Sequence, residues 1–387
     1  MRVTWPHTGR LTLFFAALFV CPAAVCSAQS YADLVLADNP IAYWQLDDVA
    51  QGGVSNIGTA PDISGTAVGG EFLELGVPGL ADPDNPAIRF GGLDEDQFFD
   101  TGAIFGSRVD IADNVLTNSG GPYTEKTIEL WFSADDVNPF GQQIIYEQGG
   151  ATRGMSIYVF DGEVVGGVHN SNNDNGGVSS PWPGGTGAER ELAFVSAPIE
   201  ANTPYHFALV YDGDDDGFEG TLTGYLNGES IGTVGGLGTL FAHTDNTHIG
   251  GGMETLFEDG GIGTDIDLET AYFEGVIDDV ALYNRALSAG RIGVHLGAEV
   301  SADLDGDGAV GFSDFLLISS NFNTASTAGD VDFDEFTGLN DFVIWRNQFD
   351  AANGAGEAAS VPEPSAGFLG AIALLVMPLF RRRIRRA

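Results

Sequence analysis

The sequence predicts a mainly β fold: one large β-sandwich, followed by a small helical metal-binding module and a C-terminal apolar helix. Three observations predict this order. Short runs of alternating apolar and polar residues, separated by glycine-rich turns, fill residues 31–298. An aspartate-rich repeat occupies residues 301–350. Apolar stretches near both ends of the 387-residue chain have the length of targeting segments.

Residues 1–28 are predicted to be a secretory signal peptide. Two arginines precede an apolar core at residues 11–20, which is too short to span a bilayer. Small residues follow, and we expect cleavage after Ala28. Both cysteines of the chain lie in this segment. The exported protein would then hold no disulfide and would depend on its core, on metal, or on both.

Residues 31–298 are predicted to form a single sandwich of many short strands. Asn227-Gly228, between two strand-like runs, is a strong hairpin signal. The length of this segment, without helix-like periodicity, favours two packed sheets over separate small domains. The clearest predicted strands are residues 127–132, 143–146, 154–160, 192–195, 205–211, 222–226 and 273–283.

Several parts of this segment resemble one known family. They are residues 31–48 (YADLVLADNPIAYWQLDD), 85–92 (NPAIRFGG), 206–213, 225–228 and 273–288 (FEGVIDDVALYNRALS). Together they are similar to the concanavalin A-like, laminin G-like jelly roll of environmental bacteria. The resemblance implies a module that binds a glycan or a surface protein through edge loops or a concave sheet face. Trp182, in the polar loop 170–187, is a candidate for stacking on a sugar ring; a packed tryptophan in a solvated loop is the alternative.

Residues 301–350 contain an internal repeat with calcium-ligand spacing. Residues 303–322 align without gaps on 330–349, and seven positions are identical. A twelve-residue loop presents oxygens at positions 1, 3 and 5, a backbone carbonyl at 7 and a carboxylate at 12, which suits the six to eight oxygens of Ca²⁺. The predicted ligands are Asp303, Asp305, Asp307, the carbonyl of Ala309 and Asp314 in loop 1, and Asp330, Asp332, Asp334, the carbonyl of Phe336 and Asp341 in loop 2.

The two loops differ at position 6, where the chain turns sharply. Gly308 occupies this position in loop 1, whereas Glu335 occupies it in loop 2. A positive φ at Glu335 would cost free energy, so we expect weaker or distorted calcium binding there. A short helix is expected after each loop. The apolar residues predicted to pack between these helices are Phe315, Leu316, Ile318, Phe342, Val343 and Trp345.

Two loops with aspartate at position 12 and one helix each resemble a dockerin type I module more than a pair of EF-hands. The resemblance implies docking onto a cohesin domain. A calcium-stiffened spacer is the alternative, and we favour it slightly. Residues 351–360 (AANGAGEAAS) are predicted to be a linker.

The C-terminus, residues 361–387, resembles a PEP-CTERM sorting signal of Gram-negative bacteria. Its parts are Val361-Pro362-Glu363-Pro364, an apolar helix at 366–380, and a basic cluster that includes Arg381, Arg382 and Arg383. The resemblance implies transient membrane anchoring and processing by an exosortase-type enzyme. After processing, the protein would be located at the cell surface, in the outer membrane or in the extracellular matrix. An ordinary membrane anchor is the alternative.

The negative charge of the chain excludes two classes of partner, nucleic acid and anionic membranes. Residues 29–360 hold 54 acidic side chains (55 less Glu363) and eight basic ones (15 less the seven arginines of the two ends), a balance of −46. Such a surface repels nucleic acid and anionic membranes, whereas calcium or salt would relieve its self-repulsion.

No convincing active site is found, and we expect a binding or structural protein rather than an enzyme. Residues 265–269 (DIDLE) resemble the catalytic strand of laminarinase-like glycosidases, but aspartate stands at the first position, where that strand has glutamate. The alternative is a secreted, polysaccharide-degrading glycoside hydrolase of the same jelly-roll fold that carries a cohesin-binding dockerin. The histidines show no metal-ligand spacing in the sequence.

Overall fold

A computed structural model describes residues 29–47, 52–60, 62–92, 106–138, 141–150, 153–171, 190–213, 219–252 and 272–353. These residues form a β-sandwich of two antiparallel sheets with a jelly-roll-like arrangement, followed by two helices in the acidic repeat. The predicted signal peptide and the sorting signal, with Val361 to Pro364 and Arg381 to Arg383, lie outside the described residues. Within the described part, no helix is long and apolar enough to cross a membrane.

The first sheet contains the longest strands of the sandwich. Its order is β14-β13-β12-β7-β16-β5-β4, and β1 pairs with the C-terminal half of β16. The predicted Asn227-Gly228 turn joins β13 to β14, and both residues have positive φ. The strands are β1 (Ala42–Trp44), β4 (Leu73–Pro78), β5 (Pro86–Gly91), β7 (Glu125–Ala134), β12 (Tyr205–Asp212), β13 (Gly220–Leu226), β14 (Glu229–Leu237) and β16 (Glu274–Tyr283).

The second sheet packs face to face with the first. Its order is β11-β10-β9-β8-β15-β6-β3-β2. The strands are β2 (Gly53–Val54), β3 (Gly65–Val68), β6 (Arg108–Ile111), β8 (Gln143–Gly150), β9 (Arg153–Phe160), β10 (Glu163–Ser171), β11 (Arg190–Pro198) and β15 (Thr247–Ile249). A single 3-10 turn, Gly70–Phe72, precedes β4.

The core lies between the two sheets, where alternate side chains of the facing strands meet. In β7 these are Ile128, Leu130 and Phe132, which belong to the same buried cluster as Ile157 and Val159 of β9. This alternation is the physical basis of the strand predictions, because one face of each strand must leave water.

Two short helices cover the outer face of the first sheet. They are α1 (Tyr31–Ala37) and α2 (Ala289–His295), and each begins at a serine whose hydroxyl caps the first turn. Val35 of α1 and Ile292 of α2 are fully buried against outward side chains of β12 and β16. One helix thus precedes β1 and one follows β16.

The repeat forms a separate small core between helices α3 (Phe312–Asn321) and α4 (Leu339–Ala352). Ile318 and Trp345 are buried, and Phe315 lies 5.0 Å from the Trp345 ring. Leu316 is half exposed, and Val343 is not part of the cluster; Ile344 is. The prediction was wrong for Leu316 and Val343. Leu316 points away from the facing helix, and Val343 lies one residue before Ile344, which is on the face of α4 that packs.

Candidate calcium sites and the outer face of the second sheet

Loop 1 (residues 303–314) folds around the carboxylate of Asp303. Asp303 Oδ1 accepts the backbone N–H of Asp307 at 3.1 Å, and Oδ2 accepts that of Gly308 at 2.8 Å. The Asp307 carboxylate accepts the N–H of Ala309 at 2.9 Å. Carboxylate oxygens of the residues at positions 1, 3 and 5 lie within 4.8 Å of one another: Asp303, Asp305 and Asp307.

Loop 2 (residues 330–341) repeats these three hydrogen bonds. Asp330 accepts the N–H groups of Asp334 at 3.1 Å and Glu335 at 2.9 Å, and Asp334 accepts that of Phe336 at 2.9 Å. Its three aspartates also converge within 4.8 Å: Asp330, Asp332 and Asp334. Loop 2 therefore keeps these bonds and this convergence despite Glu335, and its weaker calcium binding stays a prediction.

The position-12 aspartates hold the starts of the two helices. Asp314 Oδ2 accepts the N–H of Gly311 at 2.6 Å, and Asp341 Oδ2 accepts that of Gly338, also at 2.6 Å. Burial alone would raise the pKa of Asp314, but its backbone N–H donors outweigh burial and lower it. Among the described residues, the carboxylates that converge in each loop are those at positions 1, 3 and 5. The aspartate at position 12 belongs to neither convergent group.

Burial distinguishes the two sites. In loop 1 the aspartates at positions 3 and 5 are exposed, whereas in loop 2 Asp330 is 5% and Asp332 9% exposed. Burial raises the pKa of Asp332 to about 7 and that of Asp330 to about 6. Asp332 Oδ1 has no hydrogen-bond partner. A buried, unpartnered carboxylate oxygen is costly unless something else satisfies it.

Backbone conformation distinguishes them again. Positions 4 and 6 of loop 1 are Gly306 and Gly308, with φ of 70° and 89°. Loop 2 adopts the same left-handed conformations with Phe333 at 59° and Glu335 at 67°. Each non-glycine residue in that region costs about 1–2 kcal/mol. Loop 2 therefore needs contacts that offset this strain.

The ligand set fits a hard cation that is bound only by oxygen. Ca²⁺ accepts mixed carboxylate and carbonyl ligands in a flexible geometry. The convergent triads and the unpartnered Asp332 oxygen fit such an ion, which would neutralise three clustered carboxylates. The residues that would hold it are those predicted: Asp303, Asp305, Asp307, the Ala309 carbonyl and Asp314, and Asp330, Asp332, Asp334, the Phe336 carbonyl and Asp341.

A polar row crosses the outer face of the second sheet. His248 of β15 bonds Glu147 of β8 through Nδ1 at 2.6 Å, and its Nε2 lies 3.5 Å from Asp110 of β6. Ser156 of β9 stands directly opposite Glu147 in register. The row lies beside a small apolar cluster on the same face that includes Tyr158. Glu147 and Ser156 are buried, so His248 and Asp110 are the members of this row that offer polar groups to a ligand. Sequence reasoning missed the row because strand register brings its members together.

A second missed cluster lies under helices α1 and α2. Glu129 of β7 is fully buried and accepts hydrogen bonds from Tyr283 at 2.5 Å and His295 at 2.9 Å, while His206 lies 3.3 Å away. Burial alone would raise the pKa of Glu129, but His295 and His206 outweigh it and lower the pKa. The pKa of His295 rises to about 9, because Glu129 and Asp38 outweigh its burial. The cluster anchors both helices to the sheet.

Two other predicted sites fall outside the described residues. Trp182 lies in the segment 172–189, which joins β10 to β11, and residues 265–269 lie in the segment 253–271, which precedes β16. The first segment joins two neighbouring strands of the second sheet, and the second joins β15 of the second sheet to β16 of the first. Trp182 stays a prediction.

Residues 102–293 match the family described as the concanavalin A-like lectin/glucanases superfamily, of laminin G type. The chain therefore contains a concanavalin A-like lectin/glucanase domain, as the sequence resemblance implied. No curated protein matches the chain in sequence.

Solved structures similar in fold include binding domains of botulinum neurotoxins. The serotype G binding domain has a TM-score of 0.44 at 10% identity and covers 67% of this chain and 51% of that chain. The serotype D domain in complex with N-acetylneuraminic acid has a TM-score of 0.43 at 11% identity and covers 68% and 52%. This chain thus spans about half the length of those structures.

Proposed function

We propose that this chain is an exported binding or structural protein of the cell surface or extracellular matrix. Its concanavalin A-like domain would bind a carbohydrate or a protein, and its repeat would hold Ca²⁺. The observation that carries the proposal is the pair of aspartate triads, 27 residues apart, each converging within 4.8 Å at the start of a helix. This arrangement supports a metal-ordered stem next to a binding domain better than a catalytic centre.

Isothermal titration calorimetry of Ca²⁺ into a chain of residues 29–353 tests whether the repeat binds the metal. This chain contains every buried cluster of the described structure. We expect two binding events, and the loss of one when Asp303→Asn and Asp305→Asn are combined. Asp350→Asn, an exposed change in the same repeat, is the control. An unmodified chain that takes up no calcium would contradict the assignment.

A glycan array, with and without calcium, tests the binding domain. We expect Glu147→Gln to weaken glycan binding if the outer face of the second sheet contacts the ligand, because that change removes the charged partner of His248. Trp182→Ala tests stacking in the 172–189 segment. If both variants retain binding, the ligand uses another surface; if no glycan binds, a protein partner is favoured.

A reducing-sugar assay on laminarin and agar separates the binding protein from the glycoside hydrolase alternative. We expect no sugar release. Release that Glu269→Gln abolishes would replace a binding function with catalysis at residues 265–269.

Mass spectrometry of the protein recovered from its native host tests export and sorting. We expect an N-terminus at Gln29 and a C-terminus near Pro362 to Pro364, with deletion of the exosortase-type enzyme leaving the tail in place. An intact tail in cells that contain the enzyme would favour an ordinary anchor. Cohesin binding is secondary in this proposal, because a calcium-stiffened spacer needs no such partner.

A further inference from the structure

Loop 2 lies directly against helix α2 of the β-sandwich domain. The Ser288 hydroxyl, at the start of α2, donates to the carbonyl of Phe333 at 3.1 Å. Arg291 Nη1 donates to the carbonyl of Asp332 at 3.1 Å. The Phe333 ring covers Gly290 so closely that a Cβ there would lie 2.5 Å from Cγ of the ring. Three contacts in the first turn of α2 thus join a predicted metal loop to another domain.

The contact on the domain side is rigid. Arg291 Nε donates to Asp38 Oδ2 at 2.6 Å, and Asp38 also bonds His295 Nε2 at 2.7 Å. His295 in turn bonds Glu129 at the centre of β7. All four side chains are buried. The carbonyl of Asp332 is therefore connected to the middle of the first sheet through a fixed chain of charged groups.

The same contact falls on the strained part of loop 2. Phe333, whose φ is positive, is the residue held by Ser288 and Gly290, and Asp332 precedes it. Loop 1 has Gly306 at the equivalent position and needs no such support. The domain contact therefore offsets the strain that glycine avoids in loop 1.

A cleft borders the buried site. A cleft of about 860 Å³ lies between α1, α2 and α4, and its lining includes Arg291, Asp332, Asn340 and Gln348. Asp332 is 9% exposed, and its Oδ1 has no hydrogen-bond partner. Its carboxylate lies within 4.8 Å of the carboxylates of Asp330 and Asp334. The site thus combines a buried, unsatisfied carboxylate oxygen with a cleft that is lined by the same residue.

We propose that loop 2 is a calcium-dependent joint, in which the ion and the docking of loop 2 on α2 stabilise each other. This rests on the proposed function, because it needs calcium in the repeat. Coupling is reciprocal: contacts that favour the docked loop must tighten calcium binding by the same factor by which calcium favours docking. Loop 1 would stiffen the repeat alone, and loop 2 would fix the repeat to the binding domain.

Gly290→Ala tests the joint from the domain side. Alanine is the better helix former, so α2 should remain folded, but its Cβ displaces Phe333. Gly293→Ala is the matched control in the same helix, because its Cβ would meet Ala298 at an ordinary 3.5 Å. Calcium titrations use residues 29–353 with loop 1 silenced by Asp303→Asn and Asp305→Asn, so that the heat reports loop 2. We expect Gly290→Ala to weaken calcium binding at least tenfold and Gly293→Ala to leave it unchanged.

Phe333→Gly tests the same contact from the loop side. Glycine relieves the strain and removes the ring, so loop 2 should still bind calcium, and adding Gly290→Ala should then have no further effect. If Gly290→Ala weakens binding equally in both backgrounds, its effect does not pass through Phe333 and the joint is overturned. Equal affinities in the Gly290→Ala and Gly293→Ala chains would also overturn it, while the calcium function would stand. If the unmodified chain shows no heat of calcium binding, the proposed function itself is contradicted.

Discussion

Glu129 is a charged residue in the middle of a strand that sequence patterning assigns to a core sheet. The structure places it on the outer face of β7, where Tyr283, His206 and His295 surround it. Alternation predicted the strand and the face, since Glu129 shares its side with Thr127 and Trp131. Its partners were not predictable, because His206 and His295 come from elements 77 and 166 residues away.

Glu129→Gln should destabilise the domain strongly. The change leaves the buried, positively charged His295 without its main partner, and breaking a buried ion pair costs about 3–5 kcal/mol. Urea unfolding of residues 29–353 measures the loss. Glu125→Gln, exposed at the start of the same strand, should stay within about 0.5 kcal/mol of the unmodified chain. Equal stabilities of the two variants would show that the cluster contributes little.

Two adjacent buried carboxyls predict a pH dependence. Burial, with the neighbouring Asp279, raises the pKa of Asp278 to about 8, and burial raises that of Asp279 to about 7. Both values exceed the roughly 3.9 of an unfolded aspartate, so folding takes up protons. Their stabilising contribution is complete below about pH 4 and is lost as the pH rises through about 7 to 8.

The free energy of unfolding should therefore fall between pH 5 and pH 8, by up to about 1.4 kcal/mol per pH unit for each extra proton. Asp278→Asn should flatten this slope, because the amide cannot ionise and its oxygen can still accept the Leu80 N–H. Asp84→Asn, exposed, should leave the slope unchanged. Urea titrations at several pH values compare the three chains; parallel slopes in all of them would assign the dependence to other groups.

At the scale of elements, strands with clean alternation were predictable and interrupted ones were not. β7, β12 and β16 were found in the sequence to within a few residues. β10 and β14 contain paired glycines that break the pattern, and β15 has only three residues. The bulge in β16, where Asp279 has φ of 52°, leaves no sequence signal because its cause is pairing with β7.

The geometry of loops 1 and 2 was predictable because their aspartates are local in sequence. Positions 1, 3 and 5 converge as the spacing requires, and the helices start where expected. The docking of loop 2 on α2 was not predictable, because it depends on the fold of a different domain. It accounts for how a loop with Phe333 and Glu335 at glycine positions keeps the geometry of loop 1.

Gly308→Glu should give loop 1 the backbone strain that Glu335 causes in loop 2, without the contact with α2 that supports loop 2. The new side chain must adopt a φ near 89°, at a cost of about 1–2 kcal/mol, and loop 1 should bind calcium about tenfold more weakly. Gly311→Ala is the control, since its backbone is extended. Calorimetry on chains with loop 2 silenced by Asp334→Asn measures both. An unchanged affinity in Gly308→Glu would mean that position 6 does not limit the loop.

For the whole molecule, the sandwich and the repeat differ in how they are stabilised. The sandwich has a large core between two sheets, whereas the buried centre of the repeat is Ala302, Ile318, Val331 and Trp345. A module of about 50 residues rarely folds on so small a core without metal or disulfides. The acidic balance of the chain adds self-repulsion, which falls most heavily on the clustered aspartates.

Removal of calcium should therefore unfold the repeat before the sandwich. An ion at about 100 times its Kd adds about 2.7 kcal/mol per site, a large share of the stability of so small a module. Hydrogen–deuterium exchange of residues 29–353 with excess calcium and with EDTA resolves the two regions. We expect α3 and α4 to lose protection in EDTA while β7, β12 and β16 keep theirs. Mg²⁺ at the same concentration controls for charge screening, because it demands a rigid octahedral geometry and should restore little protection. If α3 and α4 stay protected in EDTA, the repeat is held by its own core and by its contact with α2, and calcium is not what orders it.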